Sequence, residues 1–211
     1  MKLQDLFEMP LFIDKEFPTL KNSRMLSANT IEDDYDVLWT GKRNEASISV
    51  IMKKNKSVAF IGHLVERTDK VICLQLDGGL EFKDRKDFSW MHDIKVEARN
   101  ALQIDGIQLE ESFQKQGLAS LLYLEIVRYG YVLISDTTQY RGGRKLWESL
   151  AKRQEDQGVK IYVVDNGKVI LDDANEPLEY DGSNIPADQI WSTSTNIEDS
   201  KKHVLLVLKS L

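Results

Sequence analysis

From Tyr35 to Leu76 the chain runs in short, strand-like apolar stretches separated by charged or polar turns. Val37-Leu38-Trp39 opens the pattern, Ile48, Val50 and Met52 share one parity within Ala46 to Met52, and Ser57 to Glu66 and Val71 to Leu76 continue it. A period of two is that of a strand with one buried face. Lys53-Lys54-Asn55-Lys56 reads as the solvated turn of a hairpin, with no glycine to admit a phosphate. Asp77-Gly78-Gly79 reads as a second turn, because glycine takes the positive backbone angles that tight hairpins demand. Adjacent strands of this length imply an antiparallel sheet.

Residues 101–109 carry a change of parity. Leu102 and Ile104 share one face of a strand, whereas Ile107 and Leu109 fall on the other. One extra residue near Asp105-Gly106 would return both pairs to the core as a β-bulge; a hairpin turn at Gly106 accounts for the same spacing. After a loop, Leu118, Leu121, Leu122 and Ile126 recur at helical spacing, with Arg128 suited to the helix C-terminus and Gly130 to its end. Tyr131 to Ile134 is a continuous apolar run, the pattern of a central strand, with a polar end from Ser135, and Gly142 to Lys152 reads as a helix whose buried stripe is Leu146, Trp147 and Leu150. Asn166-Gly167 between two apolar segments is a hairpin signal. Leu171 to Ala187 reads as a polar surface excursion, and Ile190-Trp191-Ser192 and Val204 to Leu208 as closing strands. The expectation is one α+β domain over residues 1–211, with a mixed, mostly antiparallel sheet splayed at its centre and helices on both faces.

Other stretches leave two readings open. The first 30 residues, with Pro10 and Pro18, fit an opening strand and helix or an arm packed on the core. Glu32-Asp33-Asp34 with Asp36 is a solvated loop or the mouth of an acceptor site. Phe82, Phe88, Trp90 and Met91 plug the core or line a pocket, and Ile94 to Ala98 begins a strand carrying Glu97 on the face opposite Val96.

A net charge of −6 argues against broad nucleic-acid binding, which needs a positive field. No apolar run approaches the roughly 20 residues that span a bilayer, and the start lacks a secretory signal, so a cytoplasmic location is expected. The single cysteine, Cys73, lies in an apolar run and reads as a buried hydrophobe. His63, His92 and His203 are scattered, and no metal-ligand spacing is present.

Chemistry concentrates at the strand-loop-helix junction from Leu109 to Ser120. The first N–H groups of a helix lack partners within the helix, and the peptide dipoles place partial positive charge there. Gly117 and the small Ala119 leave room for a close approach, and phosphate is the natural ligand. Gln114-x-x-Gly117-x-Ala119, preceded by Leu109 and Phe113, resembles the acyl-CoA pyrophosphate loop of the GNAT superfamily of N-acyltransferases. The resemblance covers residues 101–170, about a third of the chain, with residues 1–100 as the acceptor-side half and 171–211 as C-terminal strands.

What the resemblance implies is an acetyl-CoA or other acyl-CoA cofactor and acyl transfer to an amine of a small molecule or protein. Leu109, Gln114, Lys115, Gln116, Gly117, Leu118, Ala119 and Ser120 would hold the cofactor, with Arg144 on its 3′-phosphate. The bulged strand would splay from its neighbour and receive the pantetheine arm. Glu97, Asp105 and Glu110 are the carboxylates near that strand, and Glu97 is the expected base, given burial enough to raise its pKa. Trp147 stands where the family often has a Tyr that reprotonates the thiolate; an indole N–H has no usable acidity, which leaves Tyr140 as the nearest phenol. The alternative is a non-catalytic GNAT-like binding or inhibitor protein. Small acidic phage proteins acting in a host cytoplasm share this general character, and a homodimer is one arrangement open to the chain.

Overall fold

The computed structural model describes residues 25–43, 45–66, 72–83, 88–109, 116–137, 141–192 and 201–211. Among them are ten strands and five α-helices, an α+β chain in which every strand pair is antiparallel except one. Contacts divide the described residues into two compact units. One is drawn from residues 25–83 and 104–129, the other from 88–103 and 130–211.

The first unit opens with β1 (Met25–Ser27) and α1 (Ala28–Asp34), where the Ser27 hydroxyl accepts a bond from the Thr30 N–H as an N-cap. Strands β2 (Tyr35–Arg43), β3 (Ala46–Lys53), β4 (Val58–Glu66) and β5 (Ile72–Phe82) follow as an antiparallel meander, with β1 paired to β5. The expected strands form, though β3 is buried on both faces from Ile48 to Met52. Residues of one parity, Ile51, Phe60, Leu74 and Leu76, are almost wholly buried with Leu26, Tyr35 and the flank of α1. The opposite face, carrying Ile48, Val50 and Ile61, is covered by α2 (Leu118–Arg128), which packs on β2, β3 and β4.

Asp77-Gly78-Gly79 does not turn the chain; it lies within β5. Ile61 pairs with Gly78 and Gly62 with Leu76, so Asp77 is the extra residue of a bulge. The glycines serve close packing there. A Cβ on Gly78 would lie 2.6 Å from the Gln108 carbonyl oxygen, and one on Gly79 2.6 Å from the Phe60 ring. The parity change in β6 (Ala101–Leu109) resolves in the same way. Glu81 pairs with Gly106 and Phe82 with Ile104, which leaves Asp105 as the bulged residue and excludes a hairpin turn.

The second unit begins with the 3-10 turn Ser89–Met91, where Trp90 and Met91 are buried in the core and Phe88 stacks on Trp90. These aromatics plug the core. The strand expected over Ile94 to Ala98 is not formed: a turn leads into a second 3-10 turn, Ala98–Asn100. Lys95 sits at a φ of 54°, which breaks an extended run. The residues Ala101 to Gln103 of β6 pair in parallel with β7 (Val132–Ile134), and the recorded pairing with β7 ends at Gln103. Helices α3 (Arg141–Ala151) and α4 (Gln154–Gln157) lead to β8 (Val159–Asp165), whose hairpin with β9 (Lys168–Val169) turns at Asn166 and Gly167 with φ 47° and 74°, the geometry that Asn-Gly favours.

The segment after β9 is more than a surface excursion. The Tyr180 N–H donates to the Ile161 carbonyl at 2.7 Å, and Tyr180 and Ile185 are buried. Ile190 and Trp191 close no strand; Ala187–Ile190 is a single helical turn, α5, and Trp191 caps it with its ring buried. β10 (Val204–Ser210) does join the sheet, inserted between β7 and β8 and antiparallel to both.

Candidate functional site

The N-terminus of α2 is built from Gln116 and Gly117. Gly117 is the N-cap residue, at φ 74° and ψ 14°, and no side chain caps the helix. This left-handed conformation costs an L-residue roughly 1–2 kcal/mol. Space adds a second requirement, since a Cβ on Gly117 would lie 2.9 Å from Nη2 of Arg43. The first intrahelical bond runs from the Leu121 N–H to the Gly117 carbonyl at 3.1 Å, so the N–H groups of Leu118, Ala119 and Ser120 precede the helical ladder. A guanidinium and a helix N-terminus thus converge on one glycine.

Beside them, wholly within the first unit, is a cavity of about 270 Å3 lined by Arg43, Ala46, Ile48, His63, Asp77, Gln116 and Leu118. Its polar wall follows from register. His63 on β4 pairs with Gln75 on β5, and Asp77 lies two residues further along β5, which carries it to the same face. The bulge at Asp77 breaks the ladder there and turns the carboxylate toward the imidazole. Nδ1 of His63 lies 2.8 Å from Oδ1 and 2.9 Å from Oδ2 of Asp77. Asp77 has no exposed surface, and the His63 side chain keeps 23% of its own. A carboxylate so enclosed requires a charged or strongly donating partner, and His63 supplies it.

The residues expected from the sequence are dispersed. Gln116, Gly117, Leu118, Ala119 and Ser120 form the turn and first helical turn just described, and Leu109 ends β6 with its side chain against Gly78. Gln114, Lys115 and Tyr140 lie outside the described residues, as does Glu110. Glu97 sits at the start of a 3-10 turn, exposed, and accepts a bond from Nε of Arg99 at 2.6 Å. That setting lacks the burial its role as base would need. Arg144 donates to Glu148 at 2.8 Å and lies 5.8 Å over the Trp191 ring, engaged within the second unit. Asp105 pairs with Lys83 at 3.4 Å, and Asp136 accepts from the Thr137 N–H, a local turn bond. Trp147 is buried.

Arg43, His63 and Asp77 escaped the sequence reading. A histidine inside an apolar strand and an acid directly before two glycines were the available signals. Among the described residues no group of three or more His, Cys, Asp or Glu is placed to hold a metal ion, and no helix is long and apolar enough to cross a membrane.

Fold and site together define an α+β protein with a histidine–aspartate cavity under an arginine-flanked helix N-terminus. Comparison with protein-family models, with curated proteins and with solved structures gives no match.

Proposed function

We propose that this protein is an acyl-CoA-dependent N-acyltransferase of GNAT-like fold, moving an acetyl group from acetyl-CoA to an amine. The observation that carries the reading is Gly117: a left-handed, side-chain-free helix cap with the Arg43 guanidinium against it and three N–H groups beyond it. The residues present fit a diphosphate. Its negative charge would meet the helix dipole and the guanidinium. One further feature supports the same reading: β6 is bulged at Asp105, as is the strand before the family's pyrophosphate loop.

When bound, acetyl-CoA supplies an activated acyl group as a thioester. The chain's own contribution is chiefly positioning, with the α2 N-terminus anchoring the cofactor and the first unit holding the acceptor. A second reading, a GNAT-like protein that binds the cofactor or a partner without turnover, is favoured by one observation. The residue in the position of the usual acid is Trp147, buried and unable to supply a proton.

Acetyl-CoA at about a hundredfold over its Kd should stabilise the protein by about 2.7 kcal/mol, read as a rise in Tm. Gly117→Asp, which sets a carboxylate against the phosphate position, should abolish the rise. Equal rises in both proteins refute the cofactor assignment. Release of free thiol from acetyl-CoA across a panel of amines then separates transferase from binding protein.

A further inference from the structure

We infer that β2 is a docking edge for a second copy of this chain, two β2 strands pairing antiparallel about a two-fold axis at Thr40. The inference goes beyond the acyl-transfer reading and does not depend on it. β2 is nine residues long and ends the order of the sheet, and among the described residues no strand pairs with its outer side. Alternate residues of such a strand turn their N–H and C=O groups away from the sheet, a ready template for another chain. Val37 adds apolar surface to the edge, 51% exposed.

Charge and parity select the occupant. An edge that meets its own copy about a two-fold axis matches itself when unlike charges stand at its two ends. Asp34 and Asp36 stand at one end of β2, Lys42 and Arg43 at the other. Asp36, Lys42 and Arg43 form no ion pair among the described residues. In an unbroken strand Asp36 and Arg43, an odd number of residues apart, would point to opposite faces. β2 is not unbroken: Val37 pairs with Ile51 and Trp39 with Val50, so Leu38 is the extra residue of a bulge. The bulge puts Asp36, Trp39, Gly41 and Arg43 on the α2 side of the sheet and leaves Val37, Thr40 and Lys42 on the other. One antiparallel register respects both faces, skipping Leu38 in each copy. It sets Thr40 against Thr40, Trp39 against Gly41, Val37 against Lys42 and Asp36 against Arg43. Trp39 folds its ring over its own Gly41, where a Cβ would lie 2.2 Å from it, so this bulky residue faces a bare one across the axis. A guanidinium against a carboxylate closes each end, and its five donors suffice for that acid and for the α2 start together.

The competing account is an edge that stays bare, with the bulge and Lys42 as devices against pairing. A charge exchange separates the two. In sedimentation velocity over a concentration series the full chain should dimerise. Asp36→Arg sets guanidinium against guanidinium and Arg43→Asp sets carboxylate against carboxylate, so each should weaken the dimer about tenfold or more. An equimolar mixture of the two variants meets unlike charges at both ends and should recover the dimer, which mixing two misfolded proteins would not do. Thr40→Cys supplies a test free of charge changes. Opposed Cα atoms at about 4.5–5.5 Å admit a disulfide, so mild oxidation should give a covalent dimer on non-reducing electrophoresis, the native Cys73 being buried. A monomer throughout the series leaves the edge bare or to a strand of another protein and overturns the inference. So do variants that dimerise unchanged, folded variants whose mixture fails to recover, or Thr40→Cys without a crosslink.

Discussion

Breaking the His63–Asp77 pair should be among the most costly single changes in the first unit, and unequally so for its two members. Asp77 is without exposed surface and accepts at 2.8 and 2.9 Å, whereas the His63 side chain retains 23% of its surface. Removing one partner of a buried charge-assisted hydrogen bond costs about 3–5 kcal/mol. Asp77→Ala leaves an imidazole that keeps 23% of its side-chain surface and can reach water, which puts the loss at the lower end, about 3 kcal/mol. His63→Ala removes a hydrogen-bond partner from a carboxylate with no exposed surface, so its loss should be the larger, about 4–5 kcal/mol. The double variant removes both groups at once. Its loss should exceed the larger single by little, for a coupling of about 2–3 kcal/mol. Urea unfolding followed by far-UV circular dichroism, with the midpoints compared at constant m-value, measures all four corners of the cycle. Losses that add to within about 0.5 kcal/mol would mean that the two groups do not interact, and the account of the cavity would fail.

Two further outcomes follow from the packing and the buried phenols. Gly78→Ala would press a methyl group against the Gln108 carbonyl and the Leu109 side chain, so it should cost about 3 kcal/mol and pry β6 from β5. An unchanged urea midpoint would show that the strands can separate without loss. Burial raises the phenol of Tyr35 above its usual 10.0, reinforced by Asp34. Tyr162 and Tyr180 are likewise raised first by burial, then by Glu179 for the one and Glu148 for the other, against the opposing pull of Lys160 and of Trp191 and Arg144. A raised folded pKa means that these groups contribute stability in full below pH 10 and lose it as pH rises through their folded values. Absorbance titration should therefore show Tyr35, Tyr162 and Tyr180 ionising late, together with unfolding; these three ionising near pH 10 in the folded protein would contradict their burial.

Much of the architecture was legible because it is written locally. Short apolar runs between charged turns marked β3 and β4, helical spacing fixed α2, and Asn166-Gly167 fixed a hairpin through backbone angles that those two residues accept. The parity change in β6 went further, since only an inserted residue or a turn could reconcile its two halves, and the structure has the insertion. Asp77-Gly78-Gly79 misled for the complementary reason. Glycine suits both a sharp reversal and a close approach of neighbouring backbones, and only pairing with β4 and β6 decides between them. The strand expected at Ile94 to Ala98 failed because buried Ile94 and Val96 anchor a turn into the aromatic core rather than one face of a sheet. Of the site, the glycine at the helix start was readable from its neighbours. The histidine–aspartate pair was not, because fourteen residues of chain separate its members and a bulge decides that they meet.

The placement of β10 sets an order on assembly during synthesis. Every described residue of the first unit has been made once the ribosome has passed Tyr129. The second unit is interleaved, because β7 and β8 are not neighbours and each pairs with a strand made well after both. Until residues 204–210 emerge, two apolar strands stand without their common partner. Over that interval the nascent chain is most exposed to mispairing, and a chaperone that shields bare strand edges would act there.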